Sequence, residues 1–260
     1  MIKPAQLLLA CASFASLAAC NSQSADGPPN SGLDQEALAL LDRHVAAIGG
    51  EAPYQGLQNL RSQVNITEQG AIVRGDYRAT RDGRMRIDVY YEGERFFSEG
   101  IDAKGAWQQA GEGAPVEAVD VGPAARLKRG IDLRFNSLAS IARSAQSTRF
   151  LGIQERDGTA FESVEIVDQG GHSRTYLIEP ESGIVTRMIE REALHPDADP
   201  TENNEEEIRL DFTETCGILG HTRTRTINMD TDEELQSSEI ISVECNLDDV
   251  ELDLARPEPS

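Results

Sequence analysis

From about residue 58 onward the chain alternates apolar and polar side chains with a period of two, and this alternation constrains its architecture more than any other feature. Met85, Ile87, Val89 and Tyr91 stand between Arg84, Arg86, Asp88 and Tyr90. Neighbouring side chains of a strand point to opposite faces, so such a run puts one face of a sheet against apolar material. Gly70, Gly83, Gly93 and Gly105 punctuate the segment at strand-length intervals. Arg81-Asp82-Gly83 and Tyr91-Glu92-Gly93 read as hairpin turns. Trp107 opens another short strand. After a break, strands resume near Arg149, with a meander over 160–167, 173–178 and 184–189 that turns at Glu181-Ser182-Gly183. Ile208, Leu210 and Phe212 then alternate with Arg209 and Asp211, and 221–228 and 239–246 supply partner strands.

Two segments carry helical spacing instead. Leu33, Ala37, Leu40, Leu41, Val45 and Ile48 recur along one helix face, with Ser31 as cap, Asp34 three residues on, and Gly49-Gly50 as the stop. Residues 123–146 are rich in Ala, Leu and Arg and predict one or two helices, with Leu138, Ile141, Ala142 and Ala145 as a buried stripe. Residues 194–204 are polar, contain two Pro and predict an exposed loop, and 258–260 predict a frayed tail. Ten or eleven strands and two or three helices fit one α+β domain over 33–257, mainly antiparallel, within the 260 residues.

The N-terminus is of another kind. Met1-Ile2-Lys3 is followed by an apolar run over 7–19, too short for a membrane span of about 20 residues and suited to the core of a secretory signal. The run ends in Leu17-Ala18-Ala19-Cys20, which resembles the bacterial lipobox. That resemblance implies a signal peptide over 1–19, diacylglycerylation of the Cys20 thiol, and acylation of the new amine by a fatty acid such as palmitate. Asn21 at the following position implies the outer membrane by the same resemblance. Residues 20–32, with Gly-Pro-Pro and Asn-Ser-Gly, read as a lipidated flexible tether.

The chain carries 24 Lys+Arg against 45 Asp+Glu, a net charge of −21. Cleavage before Cys20 removes Lys3 and no acid, so the exported part stands at −22. Nucleic acid and anionic lipid surfaces are poor partners for such a surface. Cys11 leaves with the signal and Cys20 is lipidated, which leaves Cys216 and Cys245 in an oxidising compartment. A disulfide is the natural reading, and two separate buried thiols are the alternative. In a three-strand meander the two cysteines would sit about 9.6 Å apart, beyond the reach of about 7 Å for a disulfide. The bond therefore needs Cys216 to curl over from its turn, which Gly217 permits.

Signals for catalysis or metal binding are weak. His44, His172, His195 and His221 have no zinc-ligand spacing. Asp197, Asp199 and Glu202 lack the offsets and the turn glycine of a calcium loop, and Asp230, Asp232, Glu233 and Glu234 read as a charged hairpin turn. There is no Gly-x-Ser-x-Gly elbow, and Gly111-Glu112-Gly113 is acidic where phosphate binding needs free amides and Lys. No catalytic residue, no metal and no cofactor is expected.

The order of elements resembles the LolA/LolB-like and LppX-like superfamily of bacterial envelope proteins. The residues that carry the likeness are His44-Val45-Ala46-Ala47-Ile48-Gly49-Gly50 at the end of a helix, Gly105-Ala106-Trp107, the helical interruption, and a closing Cys245-Asn246-Leu247-Asp248-Asp249 with Pro257 soon after. The resemblance implies an unclosed antiparallel half-barrel with helices packed on its concave face, and a cavity there for acyl chains. Met85, Ile87, Val89, Tyr91, Ile208, Leu210 and Phe212 are the residues expected to line it, unless the helices fill the space and these side chains are plain core. The expected role is non-enzymatic: a periplasm-facing, outer-membrane-anchored lipoprotein that binds lipid or lipoprotein acyl chains. The alternative is an adaptor lipoprotein whose acidic surface docks a basic envelope protein.

Overall fold

The computed structural model describes residues 32–194, 199–248 and 252–257. The expected signal peptide, Cys20, Ser31, His195, Asp197 and the 258–260 tail lie outside the described residues, as does all of the tether except Gly32.

The described chain opens with helices α1 (Gln35–Ala47) and α2 (Glu51–Gly56). Asp34 takes the capping role expected of Ser31. One carboxylate oxygen accepts from the Glu36 amide at 2.9 Å and the other from the Phe150 amide at 3.0 Å, which ties the helix start to the sheet. Gly49 stops α1 with φ at 117°, and a Cβ there would run into the carbonyl oxygen of Gly217. Six strands follow: β1 (Asn59–Glu68), β2 (Ala71–Thr80), β3 (Met85–Tyr91), β4 (Glu94–Asp102), β5 (Gly105–Gln109) and β6 (Val116–Ala118). Helices α3 (Val121–Phe135) and α4 (Leu138–Ser144) come next. Seven strands complete the chain: β7 (Ser147–Arg156), β8 (Thr159–Val167), β9 (Ser173–Ile178), β10 (Val185–Glu192), β11 (Asn203–Thr215), β12 (Ile218–Asn228) and β13 (Glu233–Cys245). The sheet thus has thirteen strands among the described residues, more than the alternation alone marks out. The three-residue β6 is too short to show a period.

All thirteen strands form one antiparallel sheet in the order β6-β5-β4-β3-β2-β1-β13-β12-β11-β10-β9-β8-β7. It is unclosed, with β6 and β7 at its two edges. Two apolar clusters sit on the concave face. In one, Ala37, Leu41 and Val45 of α1 meet Ala142 of α4 and Val164 and Ile178 of the sheet. In the other, Ile131 and Phe135 of α3 meet Leu57, Leu60, Ala79 and Met85. The expected stripe of α4 is buried as read, with Ile141 and Ala145 at its margin.

The convex face of β1–β5 is built differently. Residues directly opposite each other repeat the same charge: Arg61 faces Arg78, Arg78 faces Arg86, and Asp76 faces Asp88. Such neighbours repel, and diagonal ion pairs relieve them. Asp76 meets Arg61 at 2.6 Å and Arg78 at 3.0 Å, while Asp88 meets Arg78 at 3.1 Å, Arg86 at 2.9 Å and Arg95 at 3.3 Å. The C-terminal residues cover this array. Arg78 and Arg86 donate to the carbonyl oxygens of Asp253 and Ala255. Arg256 pairs with Asp102 at 2.9 Å and lies over the fully buried Trp107 ring.

Cys216 and Cys245 are joined by a disulfide with a Cα separation of 6.4 Å. Pairing of β12 with β13 ends at Arg223 and Glu239, so the tip of the β11–β12 hairpin leaves the sheet and folds back toward the end of β13. This is the curl that the meander geometry requires.

Asp88 is 1% exposed and holds three guanidinium groups. Asp88→Ala should therefore lower unfolding free energy in urea by about 3–5 kcal/mol, the range for breaking a buried charge pair. Arg225→Ala, which breaks the half-exposed pair with Glu234, should change it by less than about 1 kcal/mol.

A candidate ligand cavity

A cavity of about 1400 Å³ lies on the concave face between the two apolar clusters. Pockets for drug-sized ligands hold about 300–1,000 Å³, so the helices leave this face substantially unfilled. Its first wall is mainly apolar, with Glu68 and Glu99 also on it. Met85, Ile87, Val89 and Tyr91 of β3 line it, with Val73 of β2, Ile66 of β1 and Leu127 and Leu133 of α3.

The second wall, from β9 to β12, is charged. Arg174, Glu190, Glu192, Glu207, Arg209 and His221 line it. Of the three residues expected from β11, Phe212 lines the cavity, but Ile208 and Leu210 do not. Ile208 is directly opposite Arg187 and Arg225, on the convex side, while its neighbours Glu207 and Arg209 face inward. Asp211, at φ 53°, interrupts the regular strand between Leu210 and Phe212, and beyond it Phe212, Thr213 and Thr215 all line the cavity. The even-numbered apolar run is continuous in sequence but changes face in space.

The charges on this wall are paired. Glu190 accepts from Arg174 Nε at 2.6 Å and from His172 Nε2 at 2.9 Å. Glu192 meets Arg126 of α3 at 3.2 Å and also Arg129. Glu207 accepts from Arg209 Nε at 2.8 Å, and Arg209 Nη2 reaches the Met188 sulfur at 3.6 Å. Burial pushes the Glu190 carboxyl up, but the His172 hydrogen bond and the Arg174 guanidinium overcome it and hold the group at about 2. Burial likewise opposes ionisation of Glu207, and Arg209 overrides it. Burial pushes His221 and His44 down to about 4, and the charge of Arg209 adds to the effect in both. His44 Nδ1 lies 3.0 Å from the Gly183 carbonyl oxygen. A neutral ring there donates from Nδ1 and keeps Nε2 as an acceptor.

His172, Glu190 and Glu192 also bring metal-ligand atom types within 4.8 Å of one another. Three guanidinium groups already occupy the two carboxylates, and this cationic surround suits an ion-pair node rather than a cation site. His44 is buried at the α1 end of the cavity, and His172 lies beside the charged wall. No local motif marked Arg174, Glu190, Glu207 or Arg209. The signal available was the charged residues Glu190 and Glu192 continuing the alternation of Met188 along β10.

Buried histidines held neutral bind fewer protons folded than unfolded, so their contribution is present above pH 6.5 and is lost as pH falls toward 4. Glu205 acts oppositely. Burial and the Glu190 charge raise it to about 7, so it gains protons on folding and favours the fold as pH falls toward 4.5. Two groups outweigh one, and the urea midpoint should fall between pH 6.5 and 4.5. His221→Phe should flatten this dependence, and Glu205→Gln should steepen it.

No protein-family model and no curated protein matches the sequence. Solved structures do match the fold. A LolA superfamily protein from Nitrosomonas europaea superposes with a TM-score of 0.55 at 9% identity, over 83% of this chain and 96% of that one. A DUF1329 family protein from Desulfovibrio piger gives 0.53 at 11% identity over the same shares of the two chains. Among the described residues no helix is long and apolar enough to cross a membrane, which says nothing of β-barrels. The chain has the LolA-like fold: a thirteen-stranded, unclosed antiparallel sheet with helices on its concave face.

Proposed function

We propose that this protein is an envelope lipoprotein that binds acyl chains of a lipid or lipoprotein in the concave cavity. Residues 1–19 direct export, Cys20 anchors the mature chain in the outer membrane facing the periplasm, 20–32 form the tether, and 33–257 form the binding domain. The observation that carries the reading is the 1400 Å³ space against the apolar strand face of Met85, Ile87, Val89 and Tyr91. Leaving such a face wet forgoes about 25 cal/mol per Å² of apolar surface, and an alkyl chain recovers it. The helix α3 forms the cover, and its displacement is the route for exchange. The lipobox-like Leu17-Ala18-Ala19-Cys20 supports the anchored location, because two or more acyl chains give stable attachment where one does not.

Native mass spectrometry after mild extraction should show a retained lipid, and the delipidated domain should bind the neutral fluorophore N-phenyl-1-naphthylamine. Val89→Trp, which narrows the space over the apolar face of β3, should weaken binding with an unchanged circular dichroism spectrum. A domain that never retains lipid and never binds the fluorophore would sink the reading. Cys20→Ser should move the protein from the membrane fraction to the soluble periplasmic fraction.

A further inference from the structure

The two walls of the cavity are chemically unlike, and a pure hydrocarbon suits only one of them. Opposite the apolar face of β3 stand the Arg174–Glu190 and Arg209–Glu207 pairs and His221. Covering these groups with alkyl chain would strip their remaining water and replace it with nothing that hydrogen-bonds. Their hydrogen-bonding capacity is also unspent. A guanidinium has five N–H donors, and the contacts of Arg209 among the described residues use Nε for Glu207 and Nη2 for a sulfur, a weak acceptor. Among the described residues the His221 ring makes no hydrogen bond and meets the Phe212 ring edge-on, with centroids 6.4 Å apart. The His44 ring, on the same cavity, retains Nε2 as an acceptor once Nδ1 is given to Gly183.

We propose that the ligand is an uncharged amphipath whose head, carrying carbonyl and hydroxyl groups, seats on the β9–β12 wall at Arg209 and His221 while its chain lies on the β3 wall. This deepens the acyl-binding reading and rests on it. A head carbonyl accepts from the free N–H groups of Arg209, and a hydroxyl donates to a neutral histidine nitrogen. The cations at this wall are already paired, which selects against an anionic head: Arg174 pairs with Glu190, Arg209 with Glu207, and Arg126 and Arg129 with Glu192. A fatty-acid carboxylate would add a further negative charge beside Glu190 and Glu207.

The test is displacement of N-phenyl-1-naphthylamine from the full-length mature protein by three ligands of equal chain length: 1-monooleoylglycerol, oleate and 1-octadecene. The glyceride should displace the fluorophore at a concentration about tenfold or more below either of the others, as one hydrogen bond to a charged group implies. The paired substitution Glu207→Leu with Arg209→Met removes the ion pair without leaving a lone buried charge. It should erase the glyceride preference while octadecene still displaces, and His221→Phe should reduce that preference in a chain that keeps the ion pair. Equal displacement by glyceride and octadecene would overturn the head seat and leave the cavity reading standing. Equal displacement by glyceride and oleate would overturn the uncharged head. A preference that survives in both variants would overturn its placement on this wall. If no ligand displaces the fluorophore, or the fluorophore does not bind, the acyl-binding reading itself fails.

Discussion

The chain leaves the sheet at one edge and re-enters it at the other, and the architecture follows from that connection. β6 and β7 are consecutive strands in sequence and lie at opposite ends of a thirteen-strand order. A flat sheet of this size would separate them by about 58 Å at 4.8 Å per strand. The connecting residues are chiefly α3 and α4, which rise about 22 Å and 10 Å. Laid end to end with the nine linking steps extended at about 3.3 Å each, they would barely span that distance. Both helices instead pack against the sheet, so the sheet curves and the helices run across the inside of the curve. α3 reaches one apolar cluster and α4 the other. The space between the two clusters is the cavity. Because β1 pairs with β13, the first and last strands meet at the middle of the sheet and the curve has no seam there.

The convex face shows what holds the curve on one side. Asp76 and Asp88 with their four guanidinium partners form a continuous charged lattice across β1–β4. Taken out of water, such an array is stable only when each charge is paired and hydrogen-bonded. The segment over 252–257 completes it by supplying backbone carbonyl acceptors to Arg78 and Arg86 and by closing over Trp107 through Arg256. The polar half of the β3 alternation is therefore as much an interior as the apolar half. One face of the strand is an interior of charges and the other an interior of hydrocarbon.

Much of this was legible in the sequence. The Met85–Tyr91 alternation identified a strand with an apolar face, and Gly70, Gly83, Gly93 and Gly105 marked its turns. What was not legible had specific causes. Arg86 and Asp88 look like solvent-facing residues locally, and the segment that buries them follows more than 160 positions later. The charged cavity wall is not legible because, among 45 carboxylates, no local pattern separates Glu190 or Glu207 from the surface. Ile208 and Leu210 were read as cavity residues with Phe212, since nothing in an alternating run announces that Asp211 adopts a left-handed backbone. The disulfide could be posed as a geometric problem, but its solution depends on where β12 parts from β13.

That parting gives the cavity two ends of unequal rigidity. At one end the β11–β12 hairpin is fixed covalently by Cys216–Cys245, and the Leu219 amide donates to the Ile48 carbonyl at 2.9 Å. The tight approach of Gly49 to Gly217 leaves no room for a shift there. Phe212 and His221, beyond the face change at Asp211, are presented from this pinned element. Across the cavity α3 is held by side-chain contacts: Arg126 and Arg129 on Glu192, Arg134 over the Tyr77 ring, and Ile131 and Phe135 in an apolar cluster. Opening at the hairpin would need a covalent bond to break, whereas lifting α3 exchanges ion pairs and apolar contacts for water. Lifting α3 is thus the less costly opening, and under the proposed binding role the fixed wall would recognise the ligand while α3 would admit it.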